Sequence, residues 1–131
     1  MIIIKKIENF IVNLNDPIEV ALKKLELNQK KIIFLVSDSY KIIGSISDGD
    51  IRRWLQSSNN IDKKQPVKNI AHYKCLSLSD DTNHNLIKRS FTAKISVIPL
   101  IDESHQLTSI ACDETNRFFI ENKEISDSSD T

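Results

Sequence analysis

Sliding the chain by 64 positions lays residues 10–56 on residues 74–120 without a gap, and nine of the 47 pairs are identical. Among them are Leu14/Leu78, Asp16/Asp80, Leu22/Leu86, Lys24/Lys88, Asp38/Asp102, Ile46/Ile110 and Arg53/Arg117. Unrelated stretches of ordinary composition would share about three. The apolar positions coincide as well: Val12/Leu76, Ile33/Val97, Phe34/Ile98, Val36/Leu100 and Trp54/Phe118. An internal duplication follows. A unit of some sixty residues buries too little surface to be stable alone. The two copies are therefore expected to pack face to face about an approximate two-fold axis, leaving a cleft between them for a small ligand.

Each copy reads as strand, helix, strand, strand, helix, which is an α/β (α+β) pattern. In the first, residues 10–14 are extended and Asn15 or Asp16 can cap a helix with Pro17 in its first turn. Ile18, Ala21, Leu22 and Leu25 recur at helical spacing. Residues 31–36 and 42–47 are strands around a polar turn, and the chain then enters a helix through Asp50, Ile51, Trp54 and Leu55. The second copy places a helix near 82–93, strands at 95–101 and 106–111, and a last helix reaching Asn122. The expected boundaries are 7–58 for the first unit and 66–122 for the second, with a flexible, acidic, serine-rich tail over 123–131.

The charge balance narrows the function. Eighteen basic and eighteen acidic residues cancel, so no overall field favours nucleic acid or an anionic membrane as partner. No apolar run approaches membrane-spanning length, and two widely separated cysteines, Cys75 and Cys112, form no disulfide framework. A cytoplasmic protein is expected. With two glycines, neither a P-loop nor a dinucleotide fingerprint can be assembled. His72, His84 and His105 lack metal-ligand spacing, so no metal is expected. No nucleophile–base set is recognisable, and the chain is not expected to be an enzyme.

The segment richest in chemistry is Gly44-Ser45-Ile46-Ser47-Asp48-Gly49-Asp50-Ile51-Arg52-Arg53, where a strand runs into a helix. Ser47 and the N–H groups after it sit where a helix N-terminus favours phosphate. Gly49 suits close backbone approach. The Asp50 carboxylate can accept from both hydroxyls of a ribose, and Arg52 and Arg53 supply countercharge. The same residues also fit a plain helix cap with solvated arginines.

The run from Ile32 through Asp38 to Arg53 resembles the core of a cystathionine-β-synthase (CBS) domain, marked by glycine, two mostly apolar positions, serine or threonine, two variable residues and aspartate. Ile98-Pro99-Leu100-Ile101-Asp102 resembles the strand before the turn in that family. The resemblance implies a CBS pair, or Bateman module, that senses an adenine nucleotide (AMP, ADP or ATP). By analogy Ser47 binds phosphate and Asp50 the ribose, with Arg53 beside them. Ile11 and Val12 wall the base on one side, and Phe34 and Leu35 on the other. The Ser47–Arg53 variant is similar to CBS pairs preceding sugar-phosphate nucleotidyltransferase domains, which implies control of such a domain or partner enzyme. Pairing into a homodimer, through apolar helix faces around Trp54 and Phe118, is a further expectation.

At the 64-residue spacing the second copy replaces Gly44 with Thr108, Ser47 with Ala111 and Asp50 with Glu114. One competent site is therefore expected, with a weak second one around Cys75, Ile98, Pro99 and Glu114. The rival reading is a ligand-free dimerisation or interaction scaffold.

Overall fold

The computed structural model describes residues 1–57 and 59–114. The expected last helix to Asn122, the tail and Phe118 lie outside them. In chain order the elements are β1 (Ile2–Ile4), β2 (Ile11–Asn13), α1 (Ile18–Asn28), β3 (Ile32–Val36), β4 (Ile42–Ser47), α2 (Asp48–Ser57), β5 (Leu78–Ser79), α3 (His84–Ser90), β6 (Val97–Ile101) and β7 (Leu107–Cys112). They make a three-stranded sheet, β2-β3-β4, and a four-stranded sheet, β1-β7-β6-β5. No helix among the described residues is long and apolar enough to cross a membrane.

Period-two alternation along β3 divides the core in two. Ile33 and Leu35 join Val12, Ile18, Ala21, Leu25, Ile46, Ile51 and Trp54 under α1 and α2. Phe34 and Val36 point the opposite way, into a cluster with Phe10, Val97, Leu107, Ile110 and Cys112. That cluster draws on both sheets, so the two units share it. Ile98, Leu100 and Ala111 pack outward against Ile87 of α3 and Phe91 just after it.

The ladders correct the register of the repeat. Ile32 pairs with Ser47 and Val97 with Cys112, so the β3–β4 and β6–β7 hairpins superpose at a spacing of 65. Tyr40 and His105, both at positive φ in equivalent turns, confirm it. Earlier in each unit the spacing is 66: the N–H of Asp16 donates to Asn13 as that of Thr82 does to Ser79, and Ala21 and Leu25 are buried where Ile87 and Phe91 are. The 64-residue identities therefore do not mark equivalent positions. The step from 66 to 65 is a one-residue deletion in the second copy between helix and hairpin, and a gapless comparison cannot see it. The mate of Ser47 is Cys112 rather than Ala111, and that of Gly44 is Ser109 rather than Thr108. For Asp50 the spacing points to Thr115 rather than Glu114, outside the described residues.

Lys41 and Gln106, mates at 65, form an antiparallel bridge with each other, as positions next to a local two-fold axis must. The N–H of Leu107 donates to the Tyr40 carbonyl at 2.8 Å across the same seam.

Each unit also borrows chain from outside itself. β1 pairs antiparallel with β7 of the second unit. Residues 65–72 pack on the first: Val67 is fully buried in its helix-side core, and His72 bridges Ser45 through two 2.8 Å hydrogen bonds. The expected boundary at residue 66 falls within this segment. The ends of α1 and α3 also differ from expectation. α1 starts after Pro17 without a side-chain cap, since Asp16 accepts from the N–H of Asn13 instead. α3 is shorter than expected and is capped by Asn83. Trp54, expected on an exposed dimer face, is buried in the first unit's core, and Leu55 beside it is exposed.

Candidate functional site

Ser47 closes β4 and α2 starts at the next residue. Its N–H and its hydroxyl both donate to Asp50 Oδ2, at 2.9 and 3.1 Å, while the Asp50 N–H donates back to Ser47 Oγ at 3.3 Å. This is a reciprocal capping box with aspartate in the acidic position. Arg53, largely exposed, pairs with Asp50 Oδ1. The carboxylate thus holds three donors of its own chain. Removal of the cap by Ser47→Ala is expected to lower folding stability by about 1 kcal/mol in urea titrations.

No backbone of the protein crowds Gly49. A Cβ there meets Arg53 and Ser47 at an ordinary 3.5 Å. The glycine that matters is Gly44, where a Cβ would lie 2.5 Å from the His72 carbonyl oxygen.

Ser47 faces a cavity of about 400 Å³ at the seam between the units. Phe34, Ile32, Ile95, Val97, Pro99, Cys75 and Leu76 give it apolar walls, with hydroxyls from Ser45, Ser47 and Ser96. Lys30, Lys31, Lys74 and Lys94 also line it, and no carboxylate does. Of the residues expected from sequence, the structure gathers Phe34, Ser47, Cys75 and Pro99 here, joining two members of the intended weak site to two of the strong one. The others stand elsewhere. Leu35 and Val12 have their side chains in the helix-side core. Ile11 and Val12 border a separate cavity with Asp16, Lys24, Asp38 and Tyr40. Ile98 packs against α3. Glu114 is exposed, 3.9 Å from the N-terminal ammonium. Asp50 and Arg53 lie further along α2 and are not in the cavity lining.

The four lysines carry no sequence signal because they fall in three separate stretches, Lys30-Lys31, Lys74 and Lys94, of a chain of zero net charge. Only the fold brings them together.

Burial pushes the Cys75 thiol up to about 11. Burial also raises that of Cys112, opposed by the charge of Lys30 and assisted by that of Glu114. The thiolate is the nucleophile, so Cys75 is expected to alkylate about a hundredfold more slowly than an ordinary thiol at pH 8. Its rate should climb about tenfold per pH unit toward 11. Iodoacetamide labelling followed at residue 75 by mass spectrometry checks this, and a plateau below pH 9 would contradict it.

Two small strand–helix–strand–strand units, joined through a shared core about a local two-fold with a ligand-sized hollow at the seam, define a tandem-repeat binding fold. It is the fold of CBS domain pairs. The sequence matches no family model and no curated protein. Solved structures do match. Protein MJ1225 from Methanocaldococcus jannaschii aligns with TM-score 0.65 and 17% identity over 85% of this chain and 46% of its own. The CBS domain pair of protein MJ0100, in complex with 5′-methylthioadenosine and S-adenosyl-L-methionine, aligns with TM-score 0.63 and 24% identity over 84% and 90%. CBSX2 in complex with AMP aligns with TM-score 0.60 and 18% identity over 86% and 88%. This chain thus spans about half the length of the first of these and most of the other two.

Proposed function

We propose that the chain is a regulatory module that binds an adenine nucleotide in the seam cavity. The observation that carries this is the lining: apolar walls from both units for a base, Ser47 and the lysines for phosphate, and no carboxylate to repel it. A volume of about 400 Å³ falls within the usual range for ligand pockets. The adenosine-containing ligands of the MJ0100 and CBSX2 structures support the same class. Because the cavity is walled by both units, a ligand that fits one relative packing better than another shifts the module toward it. The Ser47–Arg53 segment suggests a nucleotidyltransferase, as a linked domain or a partner, as the enzyme so controlled.

Ser47 and Asp50 favour a second reading. They satisfy each other as a cap, as they would in a ligand-free scaffold that only dimerises. Thermal unfolding with AMP, ADP and ATP separates the two. At a hundred times its dissociation constant a true ligand adds about 2.7 kcal/mol of stability. No shift with any of the three nucleotides leaves the scaffold.

A further inference from the structure

The two units differ on the face of each sheet that is turned toward the helices. In the first, Leu14, Ile18 and Ile43 pack there in the apolar core, and Gly44 admits the chain that crosses over it. The fully buried Val67 completes the filling. Its segment is tied down by the N–H of Val67 to the Asp16 carbonyl and that of Lys68 to the Leu14 carbonyl. At the spacings set by the turns and ladders, 66 and then 65, the mates of these four positions are Asp80, His84, Thr108 and Ser109. Three apolar side chains have become polar, and the glycine has gained a hydroxyl. All four line one cavity of about 580 Å³, whose apolar lining is Ile3, Ile87 and Leu100. It is separate from the seam cavity, because alternation along β6 turns Pro99 to the seam and Leu100 to this hollow.

Two groups in it call for a partner. Ser109 is 6% exposed and stands on the same face of β7 as Ala111, which packs toward α3. Its hydroxyl lines the hollow and makes no hydrogen bond among the described residues. A second Val67 in this place would leave that hydroxyl unpaired, which is costly when buried. Asp80 is held against β7, its Oδ2 accepting from the Thr108 hydroxyl at 2.9 Å. Its Oδ1 has no partner among the described residues. The field at this end is negative, since Asp81, Asp102 and Glu103 share with Asp80 an adjoining groove whose lining includes no cation. Such an end suits an ammonium group, a strong partner for a carboxylate. The apolar lining suits an aliphatic body. Lys5 borders the hollow from the other edge of the sheet, after β1.

We infer that this hollow is a ligand site of its own, for a small molecule that carries an ammonium group on an aliphatic body. The ammonium stands at Asp80 and Ser109, and the aliphatic part rests on Ile87 and Leu100. Two sources share this chemistry, an aliphatic amino acid and an alkylamine, and Lys5 adds a countercharge that only the amino acid can use. The site lies within the second unit and does not depend on the nucleotide reading.

Isothermal titration of the full chain with leucine, 3-methylbutylamine and 4-methylpentanoate tests this, repeated with Asp80→Asn and Ser109→Ala. Leucine or the amine should bind saturably and at least about tenfold more tightly than the acid, which lacks the ammonium. Whichever of the two is tighter identifies the source. Asp80→Asn keeps an acceptor for Thr108 and should weaken binding about tenfold or more, and Ser109→Ala about threefold or more. Ser109→Ala should leave the melting temperature of the unliganded protein unchanged, because the hydroxyl it removes holds nothing in the fold. A clear fall would give that hydroxyl a structural role and overturn its assignment to a ligand. Saturable binding of neither leucine nor the amine, equal binding of the acid, or binding that Asp80→Asn leaves intact overturns the inference.

Discussion

Phe34→Ala is expected to cost about 3–5 kcal/mol of folding stability, the largest effect of any single truncation at the seam. Phe34 is 1% exposed at the centre of β3, and its ring packs in the cluster that both sheets share. Removing it leaves a void bounded by two sheets, each fixed by its own ladder, so little collapse can refill it. Neither unit is large enough to stand alone, and the loss should reach both. Urea unfolding followed separately by far-ultraviolet circular dichroism and by Trp54 fluorescence should show coincident transitions in wild type and variant, displaced together. Trp54 reports on the first unit's helix-side core, remote from the second unit. A first unit that melts apart from the rest would show that the seam does not bind the units into one folding body. Because Phe34 also lines the cavity, the same variant should weaken nucleotide binding even where it remains folded.

Much of this fold was legible in the residues, and the reasons are local. The alternation along residues 32–36 and 97–101, the turn residues between the strand pairs and the helical spacing of Ile18, Ala21 and Leu25 are short-range signals. The chain reads them out as β3, β6, the hairpins and α1. The duplication was legible too, but not its register. Leu22 and Leu86 are identical at a spacing of 64, yet Leu86 is exposed while Leu22 packs on the core. The shift to 66 and then 65 is set by hydrogen-bonded ladders, which no pairwise identity records.

The site was harder. Ser47 stands in a contiguous motif, and Phe34 enters only through the family resemblance which that motif carries. The lysines belong to three separate stretches joined only by the fold. Cys75 and Pro99, expected at a second site, line the same cavity as Phe34 and Ser47. The cavity takes its walls from both halves at once.

Gly44→Val should be nearly as damaging as loss of Phe34, for a reason that has nothing to do with cavity formation. Gly44 lies in β4 opposite Leu35, with the chain at His72 and Tyr73 crossing directly over it. A Cβ would stand 2.5 Å from the His72 carbonyl oxygen and 3.4 Å from the Tyr73 Cα. The obstructing atom is backbone, held by the paired hydrogen bonds between Ser45 and His72, so it cannot swing away as a side-chain tip would. Relief requires breaking that bridge, which anchors the segment carrying Val67 into the first unit's core. Overpacking of this kind costs about 1–3 kcal/mol, and the second γ-methyl of valine adds to it. Gly44 has no positive φ, so alanine would be unstrained but for the contact. Gly44→Ala should therefore cost less than Gly44→Val, whereas Gly49→Ala, meeting only 3.5 Å contacts within a helix, should be neutral or stabilising. Chemical denaturation of the three variants orders them. A Gly44→Ala protein as stable as wild type would mean that the segment at His72 and Tyr73 can lift away from β4 at no cost. The cavity wall next along that segment, Lys74 to Leu76, would then not be fixed where a ligand needs it.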